Sequence, residues 1–193
     1  MSPTSAQLLG PEFQVNSYTP SQQGEPAVAA DGAGGFVVVW SSWDQDGSGL
    51  GVFGQRFDSS GLPVGGEFQV NEATTGHQLS PAVAADGAGS FVVSWTSDGQ
   101  DGSAFGVFAR RFDPAGAPLG HEFQVNSYTP FDQRDSALAA VFGDEFVVAW
   151  ASESQDGEGF GVFGRRGTFA LFRDGFETAD ACAWSATVGG GCP

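Results

Sequence analysis

The strongest constraint on the fold is a stretch that the chain contains three times at a fixed spacing. It begins at Trp40, Trp95 and Trp150, and every copy reads Trp-x-Ser-x-x-Gln-Asp-Gly-x-x-x-Gly-Val-Phe. Successive copies lie 55 residues apart. A constant period of this size is the signature of a repeat architecture, in which each copy is one supersecondary unit that buries its surface against its neighbours.

Each period contains four short segments with strand-like composition, separated by turn residues such as Asp-Gly. In the first period they are residues 26–30 (small), 36–40 (apolar on both faces), 51–58 (amphipathic) and 67–71 (alternating). A gradient from small inner strands to polar outer strands is typical of a β-propeller blade. The sequence therefore predicts an all-β fold of three tandem four-stranded antiparallel sheets that resemble propeller blades. A flat array or a solenoid of the same sheets remains an alternative.

The two ends of the repeat array differ. After Arg166 the third unit departs from the expected turn and outer strand, so the third sheet is predicted to lack its outer strand. An outer-strand pentad without a sheet of its own precedes the first inner strand. Because an unpaired sheet edge is normally covered, we expect this spare strand to complete the third sheet, either in its own chain or in a neighbouring subunit. The spare strand consists of Glu12, Phe13, Gln14, Val15 and Asn16.

Five segments follow from these boundaries. Residues 1–25 are an N-terminal arm that carries the spare strand, residues 26–71, 72–126 and 127–170 are the three repeats, and residues 171–193 are a C-terminal tail. The tail contains both cysteines, Cys182 and Cys192, on either side of a short Gly-rich loop. We expect them to form a disulfide, which would indicate an oxidising, extracellular setting. Two free thiols are the alternative.

Charge and hydropathy exclude two classes of partner. The formal net charge is −16, and all 7 basic residues are arginine, so the chain cannot neutralise a run of phosphates and nucleic acid is excluded. No stretch approaches the roughly 20 apolar residues of a transmembrane segment. Residues 1–6 have neither the basic nor the apolar region of a secretory signal, so we expect either a cytoplasmic protein or a leader that is absent from the given chain.

The repeated loops and aromatic residues supply the candidate binding sites. Carboxylates on Gly-containing loops are ligands that calcium prefers, so Asp46, Asp101 and Asp156 are candidates for a calcium site. The alternative is turn chemistry, in which the Asp side chain caps backbone amides. The tryptophans that open each stretch, and the arginines that recur in register, are interpreted as core and structural residues. The loop aromatics Trp43, Tyr18 and Tyr128 are the candidates for contact with a ligand such as a glycan.

Catalytic motifs are absent from the sequence. His77 and His121 are the only histidines, and neither recurs in all three units. No nucleophile elbow, phosphate-binding loop or zinc pattern occurs. Because a single active site needs unique residues and this chain repeats its positions, the sequence predicts a protein that is not an enzyme and has no catalytic residue.

The repeated frame resembles tandem repeats of large bacterial secreted and cell-surface proteins. The resemblance covers residues 12–166 and rests on Glu-Phe-Gln-Val-Asn, Pro-Ala-Val-Ala, Phe-Val-Val-x-Trp, Gln-Asp-Gly and Gly-Val-Phe-x-x-Arg-Phe-Asp. The tail, with Asp-Gly-Phe-Glu at 174–177 and Ala-Trp-Ser at 183–185, looks like a short terminal motif of exported bacterial proteins. The resemblance implies extracellular display and repeat assembly, and it carries over no catalytic residue.

Three functional hypotheses follow. The first is a non-enzymatic extracellular structural subunit that associates with itself head to tail through its spare strand, as a ring or a surface or matrix fibre. The second is a propeller-type lectin or adhesin module that binds cell-surface glycans. A glycoside hydrolase comes third, and it would require a cleft that gathers carboxylates which do not repeat.

Overall fold

The computed structural model describes residues 10–141 and 143–169, and all regular secondary structure in this part of the chain is β-strand. Eleven strands form three antiparallel sheets, each a meander in which consecutive strands are neighbours. The predicted all-β fold of three tandem sheets is thereby confirmed. A search of the described residues for helices long and apolar enough to cross a membrane finds none.

The first two periods each form a four-stranded sheet, and the third forms a sheet of three strands. Sheet 1 contains β1 (Gln23–Ala30), β2 (Phe36–Trp43), β3 (Leu50–Phe57) and β4 (Pro63–Gln69). Sheet 2 contains β5 (Gln78–Ala85), β6 (Phe91–Asp98), β7 (Phe105–Phe112) and β8 (Phe123–Gln124). Sheet 3 contains β9 (Gln133–Ala140), β10 (Glu145–Glu153) and β11 (Phe160–Thr168), and it has no fourth strand among the described residues.

The sheets stack face to face and share apolar cores. Between sheets 1 and 2, Val39 and Val52 pack with Val93 and Trp95, and all four side chains are buried. Sheets 2 and 3 share a second core of the same kind. Contacts between successive sheets are densest along the inner strands β1, β5 and β9, so the sheets diverge outward from these strands as blades do.

The inner strands begin earlier than the composition indicates. The first inner strand is predicted to begin at residue 26, but β1 begins at Gln23. Between Gly24 and Ala27 the strand gains one residue relative to β2, which is a β-bulge, and the same bulge recurs in β5 and β9. The extra residue is accommodated in the bulge, and the strand stays paired with its neighbour on both sides of it. The predicted start of the inner strand is therefore wrong.

The spare N-terminal segment (residues 12–16) forms no strand. It lies instead across the outer face of sheet 1, where the Phe13 and Phe57 rings are 5.5 Å apart and Val15 packs on a cluster that includes Val38 and Trp40. In the next unit Phe68 of β4 lies 5.5 Å from the Phe112 ring of sheet 2. The segment therefore covers sheet 1 as β4 covers sheet 2, and it does not complete sheet 3 of its own chain.

Buried amide side chains hold the ends of the sheets together. Asn71 accepts a hydrogen bond from the Val52 N–H at 2.8 Å and donates one to Gln78 at 3.1 Å. The same bonds in sheet 2 join Asn126 to the Val107 N–H at 2.8 Å and to Gln133 at 3.1 Å. Because such polar groups are costly to bury unpaired, each Asn–Gln pair fixes the outer strand of one sheet to the inner strand of the next.

Candidate functional site

The three inner-strand bulges hold the residues most suited to chemistry. Glu25, Ser80 and Asp135 occupy the same position in β1, β5 and β9. Their φ angles are all positive, at 53°, 51° and 57°. Residues other than Gly, Asn and Asp rarely adopt this left-handed conformation, and such strain is concentrated at functional sites. Because the inner strands are neighbours, the bulges form one row at the end of the sheets that carries the Gln-Asp-Gly loops.

Glu25 links the first two bulges. One of its carboxylate oxygens, Oε2, accepts hydrogen bonds from the Ser41 hydroxyl and from the Ser80 N–H, both at 2.8 Å. The Ser80 hydroxyl lies 3.3 Å from the other oxygen, Oε1. These bonds orient the carboxylate and connect sheet 1 to sheet 2, while Glu25 as a residue is exposed to solvent. An oriented and accessible carboxylate can act as an acid, a base or a ligand for a polar group.

Asp135 is the second carboxylate of the row. Its N–H donates to the Thr96 hydroxyl at 3.3 Å, which leaves the side chain 70% exposed. The Arg134 guanidinium lies 3.9 Å from the Asp135 carboxylate and 4.6 Å from the centre of the Phe160 ring. The row therefore ends in an exposed carboxylate beside a cation that is positioned by an aromatic ring.

Sequence reasoning missed this row. The three bulge residues differ in identity, whereas most inner-strand residues repeat, and this difference was the signal that could have identified them. The predicted inner strand of residues 26–30 excludes Glu25, and the sequence predicts no role for Glu25, Ser80 or Asp135. A position where tandem copies share backbone geometry but differ in side chain is one where an otherwise repetitive chain holds unique chemistry.

Of the predicted ligand-contact aromatics, Trp43 is the most accessible. It is 38% exposed at the end of β2, and its ring lies 5.4 Å from the His77 ring. His77 also accepts a hydrogen bond from the Leu50 N–H at 3.2 Å through Nδ1, so the imidazole is held in place. Tyr18 and Tyr128 are half-buried in the loops that precede β1 and β9. All three lie at the loop end of the sheets, as the bulge row does.

Two of the repeated aspartates, Asp46 and Asp101, act in the structure as turn caps. Asp46 accepts a hydrogen bond from the Ser48 N–H at 3.0 Å, and Asp101 accepts one from the Ser103 N–H at 3.1 Å. A Cβ at Gly51 would lie 2.5 Å from the Asp46 carboxylate, and Asp101 and Asp156 restrict Gly106 and Gly161 in the same way. This contact explains why Gly follows the loop in every copy.

These loops offer a poor donor set for calcium. The second carboxylate oxygen of Asp46 faces the Gln69 amide at 3.4 Å, and that of Asp101 faces Gln124 at 3.4 Å and Asn126 at 3.3 Å. N–H donors occupy the positions from which a cation would approach. Among residues 10–141 and 143–169, no group of three or more His, Cys, Asp or Glu side chains is arranged to hold a metal ion. The predicted pair Cys182 and Cys192 lies outside the described residues.

The recurrent tryptophans and arginines have structural roles, as interpreted from the sequence. Trp40, Trp95 and Trp150 are between 0% and 6% exposed and belong to the cores. Arg56 donates to the Pro114 carbonyl at 2.5 Å, and Arg111 donates to the Thr168 carbonyl at 3.3 Å, so each of the two connects its sheet to the next sheet. Burial lowers the pKa of Arg111 from its ordinary value.

A second set of carboxylates fixes the loops at the same end. Glu67 accepts hydrogen bonds from the Ser17 N–H, from the Tyr18 N–H at 3.1 Å and from the Gln45 amide at 2.8 Å. Desolvation by burial raises the pKa of Glu67, but these hydrogen bonds together outweigh it and hold the pKa below its ordinary value. Glu122 receives the same three contacts one unit later, from the Glu72 and Ala73 N–H groups and from Gln100.

Two solved bacterial proteins illustrate the fold that this chain is similar to. An endo-arabinase from Bacteroides thetaiotaomicron is 12% identical with a TM-score of 0.50, over 79% of this chain and 57% of that one. A Dyadobacter fermentans protein of unknown function is 9% identical with a TM-score of 0.51, over 75% and 50%. The chain thus spans about half the length of these proteins. No protein-family model matches it, and the comparison with curated proteins gives no match.

The prediction that the chain is not an enzyme is wrong. It rested on the argument that a chain of repeated sheets leaves no positions for a unique active site, but an endo-arabinase has this fold. The bulge row removes the same argument from within the molecule, because it places Glu25, Ser80 and Asp135 at equivalent positions with different chemistry. Function must therefore be argued from the row and not from the repeats.

Proposed function

We propose that the chain binds a glycan across the bulge row and hydrolyses a glycosidic bond there. The observation that carries the proposal is the row itself, in which Glu25 and Asp135 occupy equivalent bulge positions of β1 and β9, with Ser80 on the bulge of β5 between them. Glycoside hydrolysis uses two carboxyl groups on either side of the bond that is cleaved, one as the acid and the other as the base or nucleophile. The likeness to an endo-arabinase makes arabinan the first substrate to examine.

The two carboxylates have different surroundings, as such a division of roles requires. Glu25 accepts hydrogen bonds from Ser41 and Ser80, which hold its carboxylate in one orientation. Asp135 is mostly exposed, and the Arg134 guanidinium lies 3.9 Å from its carboxylate. We assign Glu25, whose carboxylate is oriented, the role of the base or nucleophile and Asp135 that of the second carboxyl group, with Ser80 positioned to bind a sugar hydroxyl.

The test is hydrolysis of arabinan and a panel of other polysaccharides, measured as the release of reducing ends. We expect Glu25→Gln and Asp135→Asn each to lower kcat/KM by about 100-fold or more, the usual contribution of an acid–base group. Glu158→Gln is the matched control, because Glu158 is an exposed carboxylate in a Gln-Asp-Gly loop outside the row. No cleavage of any polysaccharide by the native chain, or equal activity in all three variants, would exclude the proposal.

Glycan binding without cleavage is a second candidate, and the Trp43–His77 pair favours it. A half-exposed indole held beside an imidazole at 5.4 Å offers a flat apolar surface on which a sugar ring can stack. Binding measured by glycan array or by quenching of tryptophan fluorescence should then decrease in Trp43→Ala. If binding persists in Glu25→Gln while no substrate is cleaved by the native chain, the protein is a binding module. Extracellular location in a bacterium fits both candidates and remains a prediction.

A further inference from the structure

We propose that sheet 3 of one copy docks onto the spare N-terminal segment (residues 12–16) and sheet 1 of a second copy, so that chains associate head to tail. Both surfaces of this contact consist of exposed residues whose equivalents in the other repeats of the same chain are buried. Val52 and Val107 are 0% exposed at the sheet 1–2 and sheet 2–3 interfaces, whereas the equivalent Val162 of β11 is 84% exposed. On sheet 1, Val28 is 65% exposed, whereas the equivalent Val83 is 8% exposed.

The spare segment already lies where the outer strand of a preceding sheet would lie. Phe13 meets Phe57 at 5.5 Å and 57°, and Phe68 meets Phe112 at 5.5 Å and 51°. Its seat on sheet 1 therefore reproduces that of β4 on sheet 2. What the segment lacks is a third strand beside it, and what β11 lacks among the described residues is an outer strand beside it.

The repeat fixes the register of the contact. In sheet 1 Gly54 pairs with Phe68, and in sheet 2 Ala109 pairs with Phe123, so Gly164 should pair with Phe13 of the second copy. Val52 and Val107 each accept a hydrogen bond at 2.8 Å from the N–H of the valine in the following outer strand, Val70 or Val125. By the same rule the Val162 carbonyl should accept from the N–H of Val15 in the second copy.

Asn16 supplies the complementary acceptor. The Oδ1 atoms of Asn71 and Asn126 accept hydrogen bonds from the Val52 and Val107 N–H groups. The side-chain amide of Asn16 donates to the Tyr18 carbonyl at 2.7 Å and to the Gln23 side-chain oxygen at 3.4 Å. Its Oδ1, in contrast, accepts no hydrogen bond from a backbone N–H in the described residues. In the docked pair this acceptor meets the Val162 N–H of the other chain.

In the docked pair, Glu12 of the second copy supplies the carboxylate that accepts hydrogen bonds from the loops of sheet 3. Glu67 and Glu122 each bind two consecutive loop N–H groups and the Gln of the adjacent Gln-Asp-Gly loop. The equivalent donors in sheet 3 are the N–H groups of Ser127 and Tyr128 and the amide of Gln155, and within the described ranges no carboxylate accepts from them. Glu12 is the equivalent acid in the spare segment and is exposed in its own chain. Charge-assisted bonds of this kind are among the stronger hydrogen bonds in proteins.

The contact is heterologous, because each copy offers one surface and receives on the other. Such a contact leads to a closed ring or to an open fibre, and both ends of the chain are used in either case. It follows that a copy blocked at one surface can still bind through the other. This property permits a test by mixing two full-length variants.

The first variant, Val162→Arg, blocks sheet 3, and the second, Glu12→Arg, blocks the spare segment. Both positions are exposed, so each variant should fold as the native chain does, which circular dichroism checks. Light scattering after gel filtration should show multimers of the native chain and a monomer of 19.9 kDa for each variant alone. An equal mixture should form a heterodimer of about twice that mass, since Glu12→Arg retains sheet 3 and Val162→Arg retains the segment.

Thr74→Arg is the control for an added charge, because Thr74 is exposed in the loop between β4 and β5, away from both surfaces. It should form multimers as the native chain does. A native chain that stays monomeric at every concentration would overturn the proposal. A multimer that Val162→Arg disrupts but Glu12→Arg does not would indicate contact between two copies of sheet 3, and would also overturn it.

Discussion

Sheets 2 and 3 are built from nearly the same sequence and have opposite surroundings. β7 and β11 share the Phe-Gly-Val-Phe start and a pair of arginines, yet Val107 is 0% exposed and Val162 is 84% exposed. Phe105 is half-buried, and Phe160 is 48% exposed. The difference lies entirely in what covers the strand, because β7 has sheet 3 and β8 beside it and β11 has neither an outer strand nor a fourth sheet among the described residues.

This comparison shows that the sequence of one repeat provides an interface on each face of its sheet. Whether each interface is buried depends on whether another sheet packs against that face. The energetic worth of a repeated residue therefore depends on its place in the array, as expected for a one-dimensional assembly whose stability is the sum of unit and interface terms. Equivalent substitutions in the middle and at the ends should have unequal effects. Three such pairs follow, from the largest expected difference to the smallest.

The largest difference is expected between Asn126→Ala and Asn16→Ala. Asn126 is 3% exposed and bonds both the Val107 N–H and Gln133, which is 0% exposed, so its loss leaves two buried polar groups without partners. At about 1–3 kcal/mol for each such group, we expect the free energy of unfolding to fall by about 3 kcal/mol. Asn16→Ala should cost less than about 1 kcal/mol, because Asn16 is half-buried and its bond to Gln23 is long, at 3.4 Å.

Urea denaturation of both variants measures this difference, at protein concentrations where the native chain is monomeric. Equal losses for the two variants would contradict the assignment of the amides to interface positions. A change in the slope of the transition would indicate that sheets unfold separately, and the comparison would then be made on each transition.

The next pair is Val107→Ala and Val162→Ala. Removing two methyl groups from a fully buried valine loses transfer energy and leaves a cavity between sheets 2 and 3, so we expect a loss of about 2 kcal/mol. Val162→Ala should change the free energy of unfolding by less than about 0.5 kcal/mol in the monomer, since the side chain is 84% exposed. Thermal unfolding of dilute samples checks the pair. A cost at Val162 that appears only at concentrations where copies associate would assign that cost to the contact between chains.

Sequence reasoning found what the repeat determines. The 55-residue period, the order of strands in each sheet and the burial of Trp40, Trp95 and Trp150 all follow from residue types that recur with the right alternation. Such signals are local, and a strand that is apolar on both faces has few alternatives to a place between two sheets. The extent of β2 was underestimated, because Ser41 and Ser42 continue the strand beyond Trp40.

What the sequence did not reveal depends on pairing across the chain. A bulge at Glu25 or Ser80 has no signal in the residue type, because positive φ is usually signalled by Gly, Asn or Asp. The seat of the spare segment was also missed, since its alternating pattern predicts a strand but not which face it covers. A strand needs a partner, and within one chain residues 12–16 have side-chain contacts with sheet 1 and no neighbouring strand.

The smallest difference, between Glu67→Gln and Glu12→Gln, depends on pH. Glu67 accepts three hydrogen bonds that hold its pKa below the ordinary value despite burial, whereas Glu12 is exposed. At neutral pH we expect Glu67→Gln to lower the free energy of unfolding by about 1 kcal/mol and Glu12→Gln to leave it unchanged. Because the folded pKa is depressed, the contribution of Glu67 is present above the unfolded value of about 4.3 and is lost as the pH falls through the folded value. The stability of Glu67→Gln relative to the native chain should therefore recover in acid, and a difference that stays constant from about pH 7 to about pH 3 would show that the carboxylate charge contributes nothing to this contact.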